Sequence, residues 1–251
     1  EDGGAASRGW RQCICDWWPE GFCFTVLIAK EADFALYRSV IFDLDGTLLN
    51  TLEDLAAAGE YVCAQNGWPA HTLEEYRYFV GNGIPKLCER FSPADQRSPE
   101  RLAQTLEQFT RYYDAHKEDT TAPYPGIAEL LDALQTAGVV FGVLTNKAHP
   151  LAKGVLEHYF PGRFSFVQGA VPGVPVKPDP TALRQLMAAM GADAASTLFV
   201  GDSNVDIRTA KNGGLAGCGV LWGFRTEEEL RGDGADYIAA DPAALARIIL
   251  E

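Results

Sequence analysis

Short apolar runs alternate with amphipathic segments along most of the chain from about residue 37 onward. Runs such as 40–42 are rich in β-branched residues and are typical of buried strands, whereas the segments between them repeat their apolar positions with the helical period. Strands are predicted at 40–42, 139–144, 164–167, 197–200, 219–222 and 237–238, and helices at 126–137, 181–190, 227–230 and 242–250, with two more ending near 159 and 212. This alternation predicts an α/β fold with an open, parallel, Rossmann-like sheet as its core.

One long helical stretch interrupts the alternation after the first strand. Thr51 with Asp54, and Thr72 with Glu75, have the spacing of capping boxes, and Ser98 precedes a proline at a predicted helix start. A stretch of this length is too long for a loop, so it predicts an inserted helical cap domain. The predicted division is an N-terminal extension without assigned function at 1–36, a catalytic core at 37–52 and 121–251, and the cap at 53–120.

Composition and charge narrow the class of partner. The 251 residues are 47% hydrophobic and 22% charged, with 34 acidic against 21 basic side chains and a net charge of −13. The sequence contains no cluster of Lys and Arg of the kind that binds nucleic acid. An acidic protein surface is also repelled by anionic membranes. The longest strongly apolar run, 22–29, is too short to span a bilayer. Of the six cysteines, three lie close together near the N-terminus and three are scattered singly, a pattern that suits reduced thiols better than a disulfide framework. We expect a cytoplasmic monomer or homodimer that binds neither nucleic acid nor membrane.

Polar side chains follow three of the predicted strands, at the point where each strand ends. Asp43 and Asp45 follow the first strand, Thr145 the second and Asp202 a later one. Because the carboxyl ends of parallel strands share one edge of a sheet, these side chains should converge there. Asp43 and Asp45 are two residues apart and should face the same crevice, where their repulsion raises the pKa of at least one of them.

An oxygen-rich cluster of this kind favours Mg²⁺ over zinc. Asp206 joins it from the segment after Asp202, and Lys177 with the Thr145 hydroxyl can contact a bound anion. The set suits phosphoryl transfer, in which Asp43 attacks phosphorus while Asp45 donates a proton and then activates water. Each motif alone has an ordinary alternative, such as a solvated turn or a helix cap. Their joint occurrence at successive strand ends favours a functional site.

These motifs resemble those of a known family. Residues 43–47 (Asp-Leu-Asp-Gly-Thr), Thr145, Lys177 with Pro178, and Gly201-Asp202 with Asp206 are similar to the four motifs of the haloacid dehalogenase superfamily, over about residues 37–251. The stretches 79–83, 123–126 and 219–225 resemble the phosphoglycolate phosphatases and their neighbours in particular. The acid at position 45 argues against dehalogenation, because true dehalogenases lack it.

The resemblance implies roles for individual residues. Asp43 would be the nucleophile and Asp45 the acid and base. Mg²⁺ would be held by Asp43, Asp202 and the Asp45 backbone carbonyl, with support from Asp206. The phosphoryl group would be bound by Thr145, Lys177 and Asn146, and the substrate would be faced by Gly81, Asn82 and Gly83, a loop that could equally be a plain helix–helix turn.

The expected activity is hydrolysis of a small phosphorylated metabolite, with 2-phosphoglycolate favoured. Sugar phosphomutase, pyrophosphatase and nucleotidase activities, and a non-catalytic phosphate-binding module, remain alternatives.

Overall fold

A six-stranded parallel sheet forms the centre of the structure. The computed structural model describes residues 36–251, and the predicted extension at 1–36 lies, but for its last residue, outside them. The sheet strands are β1 (Ser39–Phe42), β4 (Val140–Ala148), β5 (Phe166–Ala170), β6 (Thr197–Gly201), β7 (Ala216–Val220) and β8 (Tyr237–Ala239), in the order β5-β4-β1-β6-β7-β8. Two-residue strands β2 (Leu49–Asn50) and β3 (Ala122–Pro123) form a separate antiparallel pair.

Helices cover both faces of the central sheet. An apolar cluster lies on each side of the sheet, and the side chains of β1 alternate between the two. Val40 and Phe42 belong to one cluster and Ile41 to the other. The helices that follow β3 in the chain are α5 (Ile127–Thr136), α6 (His149–Tyr159), α7 (Thr181–Met190), α8 (Asn204–Gly213), α9 (Glu227–Gly232) and α10 (Pro242–Leu250). The predicted α/β class with an open parallel sheet is confirmed.

Strand register brings the predicted site residues to one edge. Phe42 pairs with Val143 on one side and with Val200 on the other. Asp43 therefore leaves β1 beside the middle of β4 and the end of β6, within two residues of Thr145 and Asp202. The central position of β1 follows from its sequence, because a run that is apolar on both faces needs neighbours on both edges and helices on both sides.

Four helices between β2 and β3 pack around an apolar cluster of their own. They are α1 (Leu52–Asn66), α2 (Leu73–Phe79), α3 (Ile84–Phe91) and α4 (Pro99–His116), called here the helical block. Tyr76, Phe91 and Phe109 lie fully buried in this cluster, joined by Phe224 from the loop after β7. The exact domain boundaries stay a prediction. Among residues 36–251, no helix is both long and apolar enough to cross a membrane.

Local signals for the ends of the helical block were partly right. Thr72 and Glu75 form the expected capping box, and the Ser98 side chain accepts from the N–H of Arg101. The box predicted for Thr51 and Asp54 is wrong, since Thr51 makes no side-chain capping bond. Asp54 instead accepts hydrogen bonds from the backbone and hydroxyl groups of Thr120 and Thr121. These long-range partners at the other end of the block outweigh the local cap.

The bounds of β4 and β7 also differ from the prediction. β4 continues through residues 145–147 to Ala148, because its pairing with β5 resumes at Ala148 and Ala170 after an irregularity. β7 lies three residues earlier than expected at its start. It contains Gly217 and Gly219, where added Cβ atoms would lie 3.2 Å from Ala210 and 2.9 Å from Leu230. Helices packed closely against β7 therefore require glycine at these positions. The glycines interrupt the apolar run from which the start of the strand would have been predicted.

Candidate active site

Three buried carboxylates converge at the carboxyl edge of the sheet. One oxygen from each of Asp43, Asp202 and Asp206 lies within 4.8 Å of the others. Asp43 and Asp202 directly follow β1 and β6, and Asp206 lies in the first turn of α8. The predicted convergence of residues distant in sequence is present. Asp206 lies inside the close group, together with Asp43 and Asp202.

The core alone fixes the orientation of Asp202. The Thr47 hydroxyl donates to one carboxylate oxygen at 3.1 Å, and the Phe224 N–H donates to the other at 2.9 Å. Two glycines leave room for this side chain: added Cβ atoms at Gly46 and Gly223 would lie 2.4 and 2.1 Å from its atoms. Gly46 also has a φ of +86°, which side chains rarely adopt. Backbone and glycine chemistry together hold this carboxylate in a single position.

Asp206 is oriented by its own helix start and by Lys177. It closes a capping box with Ser203, accepting from the backbone N–H at 3.0 Å and the hydroxyl at 2.6 Å. The Lys177 ammonium lies 2.6 Å from Asp206 and 2.9 Å from Asp43. Lys177 is only 2% exposed, so its charge requires these partners. The capping alternative and the site assignment for Asp206 are therefore both compatible with its geometry.

Crowded negative charge perturbs this cluster. Burial, and then the nearby Asp206 carboxylate, raise the pKa of Asp43 well above its usual range although Lys177 opposes the shift. Burial and Asp206 also raise the pKa of Asp202 to about 7. A raised pKa was expected from repulsion between Asp43 and Asp45. Besides burial, the neighbouring carboxylates that raise the pKa of Asp43 are Asp206 and, to a smaller extent, Asp202.

The donor set fits a small divalent cation. The three side chains supply only carboxylate oxygens, which Mg²⁺ prefers. Lys177 neutralises part of the charge on Asp43 and Asp206, but within residues 36–251 no ammonium or guanidinium pairs with Asp202. The pKa of Asp202 is raised because its negative charge is buried beside that of Asp206. A bound metal cation would neutralise this charge.

Asp45 occupies a different part of the site. Its carboxylate lines a crevice and accepts from the Lys147 ammonium at 2.9 and 3.2 Å. The same ammonium donates to the Tyr113 hydroxyl of α4 at 2.9 Å. Burial alone would lower the pKa of Lys147, but the Asp45 carboxylate and Tyr113 raise it above its ordinary value. Lys147 is therefore a permanent buried cation beside Asp45.

The side chains of Thr145 and Asn146 each bond the backbone of one of the two lysines. The Thr145 hydroxyl accepts from the N–H of Lys147 at 3.2 Å and lines the crevice. The Asn146 amide accepts from the N–H of Lys177 at 2.8 Å and donates to its carbonyl oxygen at 3.1 Å. It also donates to the Gly81 carbonyl oxygen at 3.0 Å. These bonds orient Lys177 and join β4 to the helical block.

The crevice above Asp43 and Asp45 has an empty volume of about 420 Å³. Gly81 and Gly83 line it from the loop between α2 and α3, whereas Asn82 is not among the lining residues. The Asn82 side chain accepts instead from the Arg90 guanidinium at 2.8 Å. The remaining wall of the helical block is apolar and consists of Leu55, Val80, Ile84 and Leu87.

Sequence reasoning missed Lys147, Tyr113, Thr47 and the Phe224 N–H as parts of the site. A basic residue two positions after Thr145 at the sheet edge was a usable signal for Lys147. Thr47 lies within the motif that was recognised. Tyr113 fits the apolar face of a helix, and a backbone N–H leaves no trace in a sequence, so neither had a local signal.

Comparisons with known proteins identify the family. A sequence model described as haloacid dehalogenase-like hydrolase matches residues 40–220, which is most of the chain. The chain belongs to the haloacid dehalogenase-like hydrolases.

Its relatives are phosphatases. The chain is 39% identical over 197 residues to the phosphoglycolate phosphatase of Pseudomonas syringae pv. syringae, covering 75% of this chain and 71% of the relative. It is 33% identical over 219 residues to the phosphoglycolate phosphatase of Vibrio cholerae, covering 85% and 97%. The crystal structure of a predicted phosphoglycolate phosphatase from Haemophilus somnus superposes with a TM-score of 0.79 at 28% identity, over 85% of this chain and 98% of that one. The predicted resemblance and enzyme class, a phosphatase, are confirmed.

Proposed function

We propose that the protein is a Mg²⁺-dependent phosphomonoesterase that hydrolyses a small phosphorylated metabolite, with 2-phosphoglycolate as the favoured substrate. The observation that carries the proposal is the buried group of Asp43, Asp202 and Asp206. The Lys177 ammonium lies 2.9 Å from Asp43, and Asp43 itself lines the crevice. The names of the relatives support the choice of substrate. A cytoplasmic location and a monomeric or homodimeric state stay predictions.

The first chemical step is attack by Asp43. A carboxylate oxygen of Asp43 forms a bond to phosphorus, and the bond from phosphorus to the ester oxygen breaks. Asp45 donates its proton to the departing alkoxide, so that a neutral alcohol leaves. Asp43 is nearly buried and close to Lys177, whose charge stabilises the additional negative charge at the phosphoryl oxygens.

The second step restores the enzyme. Asp45, now a carboxylate, takes a proton from water, and the water oxygen attacks phosphorus. The bond between phosphorus and Asp43 breaks, which releases inorganic phosphate. The Thr145 hydroxyl and Lys177 hold the phosphoryl oxygens through both steps. Gly81 and Gly83, which line the crevice from the helical block, face the bound substrate.

Mg²⁺ would be held by Asp43, Asp202 and the backbone carbonyl of Asp45, with Asp206 in support. It would supply positive charge that reduces repulsion between the attacking carboxylate and the phosphoryl group. The Asn146 side chain is engaged with Lys177 and Gly81, so its support for this chemistry lies in orienting these two groups.

A panel of phosphate esters tests the proposal. Phosphate release is measured with Mg²⁺ and with excess chelator, for 2-phosphoglycolate, sugar phosphates, nucleotides and pyrophosphate. We expect Mg²⁺-dependent release that is fastest for 2-phosphoglycolate, and its abolition in Asp43→Asn. Asp95→Asn, an exposed aspartate of the helical block, is the matched control. Conversion of one sugar phosphate to another without release of phosphate would contradict the proposal in favour of a mutase.

A further inference from the structure

Lys147 is a buried cation that the proposed reaction does not yet explain. It is 3% exposed and lies in β4, two residues after Thr145. Lysine is rarely buried without a partner, because removing its charge from water costs several kcal/mol. Its partners are both oxygens of Asp45 and the hydroxyl of Tyr113. The ammonium also lies 5.0 Å from the centre of the Tyr113 ring.

Asp45 depends on this one ammonium. Among the described residues, side-chain and backbone donors to Asp43, Asp202 and Asp206 come from at least two different residues each. In the same part of the chain, Lys147 is the only donor to the Asp45 carboxylate. With 16% of its side chain exposed, Asp45 is also the more open of the two aspartates that carry chemistry. Loss of Lys147 would leave it free to rotate.

Tyr113 connects this ammonium to the helical block. It is 1% exposed, and its ring packs against Phe109 with centroids 5.7 Å apart inside the cluster of the block. The position of its hydroxyl is therefore determined by the packing of α4 and not by the sheet. Lys147 thus joins Asp45, on the loop after β1, to a group carried by α4 of the helical block.

We propose that Lys147 and Tyr113 are positioning residues for Asp45. The Lys147 ammonium holds both carboxylate oxygens, and the Tyr113 hydroxyl fixes the ammonium from α4. Asp45 is then aligned for proton donation only while the helical block lies against the edge of the sheet. The inference rests on the proposed role of Asp45 as the proton donor.

Leaving-group dependence separates this role from a purely structural one. Proton donation matters for an alkyl ester, whose alkoxide is a poor leaving group, and little for p-nitrophenyl phosphate, whose phenolate leaves unprotonated. The experiment measures kcat and KM of the full chain on 2-phosphoglycolate and on p-nitrophenyl phosphate. The variants are Tyr113→Phe, Lys147→Met and Lys147→Arg, with Asp45→Asn for reference. Circular dichroism and thermal unfolding establish that each variant is folded.

We expect Tyr113→Phe to lower kcat on 2-phosphoglycolate by about 10-fold and on p-nitrophenyl phosphate by less than about 3-fold. Lys147→Met should lower kcat on 2-phosphoglycolate by about 100-fold and again affect p-nitrophenyl phosphate much less. Lys147→Arg should recover part of this loss, because a guanidinium can also donate to both carboxylate oxygens of Asp45. Tyr112→Phe is the matched control on the same helix. Tyr112 stacks on Tyr61 and His116, away from Lys147, so this change should leave both rates unaltered.

Three results decide the matter. Equal losses on both substrates in Tyr113→Phe and Lys147→Met, while Asp45→Asn still discriminates between the substrates, would overturn this inference and leave the proposed function intact. The absence of discrimination in Asp45→Asn would overturn the role of Asp45 and the inference with it. The inference is supported if Tyr113→Phe, Lys147→Met and Asp45→Asn each lose more activity on 2-phosphoglycolate than on p-nitrophenyl phosphate. Lys147→Arg should then recover part of the activity lost in Lys147→Met.

Discussion

The two buried lysines of the site are held in different ways. Lys177 lies between Asp43 and Asp206, and Asn146 of β4 binds its backbone, so its main partners belong to the sheet core. Lys147 lies between Asp45 of the core and Tyr113 of the helical block. The half of the site that contains Asp43, Asp202 and Asp206 is therefore complete within the core. The half that carries Asp45 is complete only when the helical block is in place.

Replacing each lysine by methionine should show this difference most strongly. Lys177→Met leaves two buried carboxylates without their shared cation and should lower the free energy of unfolding by about 3–5 kcal/mol without Mg²⁺. Lys147→Met leaves one partly exposed carboxylate that water can reach, and we expect a loss of about 1–3 kcal/mol. Urea denaturation of both variants measures the two values. Equal losses would contradict the comparison.

A substitution at Gly223 should damage the core half selectively. An added Cβ would lie 2.1 Å from the Cβ of Asp202, so Gly223→Ala must displace this carboxylate. We expect a stability loss of about 1–3 kcal/mol and weaker Mg²⁺ binding. Gly154→Ala is the matched control. Gly154 is an exposed position of α6 with no atom near its added Cβ, so this change should stabilise the protein by about 0.5–1 kcal/mol.

Mg²⁺ affinity measured by isothermal titration calorimetry distinguishes displacement of Asp202 from general loosening. Gly223→Ala should weaken binding of the ion while leaving the leaving-group selectivity that depends on Lys147 unchanged. Unchanged affinity in a folded Gly223→Ala protein would show that Asp202 does not bind the ion.

The smallest predicted effect is the change with pH in how much Mg²⁺ stabilises the folded protein. Folding raises the pKa of Asp202 from its ordinary value of 3.8 to about 7 without metal. The unfolded chain therefore loses this proton at a lower pH than the folded protein, and stability falls as pH rises from about 4 towards 7. Bound Mg²⁺ replaces the proton. The rise in melting temperature on adding Mg²⁺ should therefore be larger at pH 8 than at pH 5.5, and a larger rise at pH 5.5 would contradict this account.

The core half of the site was largely predictable from the sequence. Asp43 and Asp202 directly follow β1 and β6, and Thr145 follows the apolar run of β4. Parallel strands place these positions near one edge whatever their separation in the chain. Lys177, on the loop before α7, was placed by its resemblance to a family motif and by the need for a cation near a bound anion. Physical constraints of the sheet therefore carried most of this inference.

The half that includes Asp45 was less predictable for a physical reason. Tyr113 and Lys147 are 34 positions apart, and their hydrogen bond depends on how four helices pack against one another and against the sheet. A buried tyrosine on an apolar helix face looks the same in the sequence whether its hydroxyl is used or not. Asp54 shows the same limit, because its real partners, Thr120 and Thr121, lie at the far end of the helical block.

Trapping the phosphorylated enzyme tests the central claim most directly. The protein is mixed with 2-phosphoglycolate and Mg²⁺, quenched in acid during turnover, digested, and mapped by mass spectrometry. The account predicts one phosphoryl group on the peptide that contains Asp43 and none in Asp43→Asn. A phosphoryl group on another residue, or rapid turnover in Asp43→Asn, would contradict it.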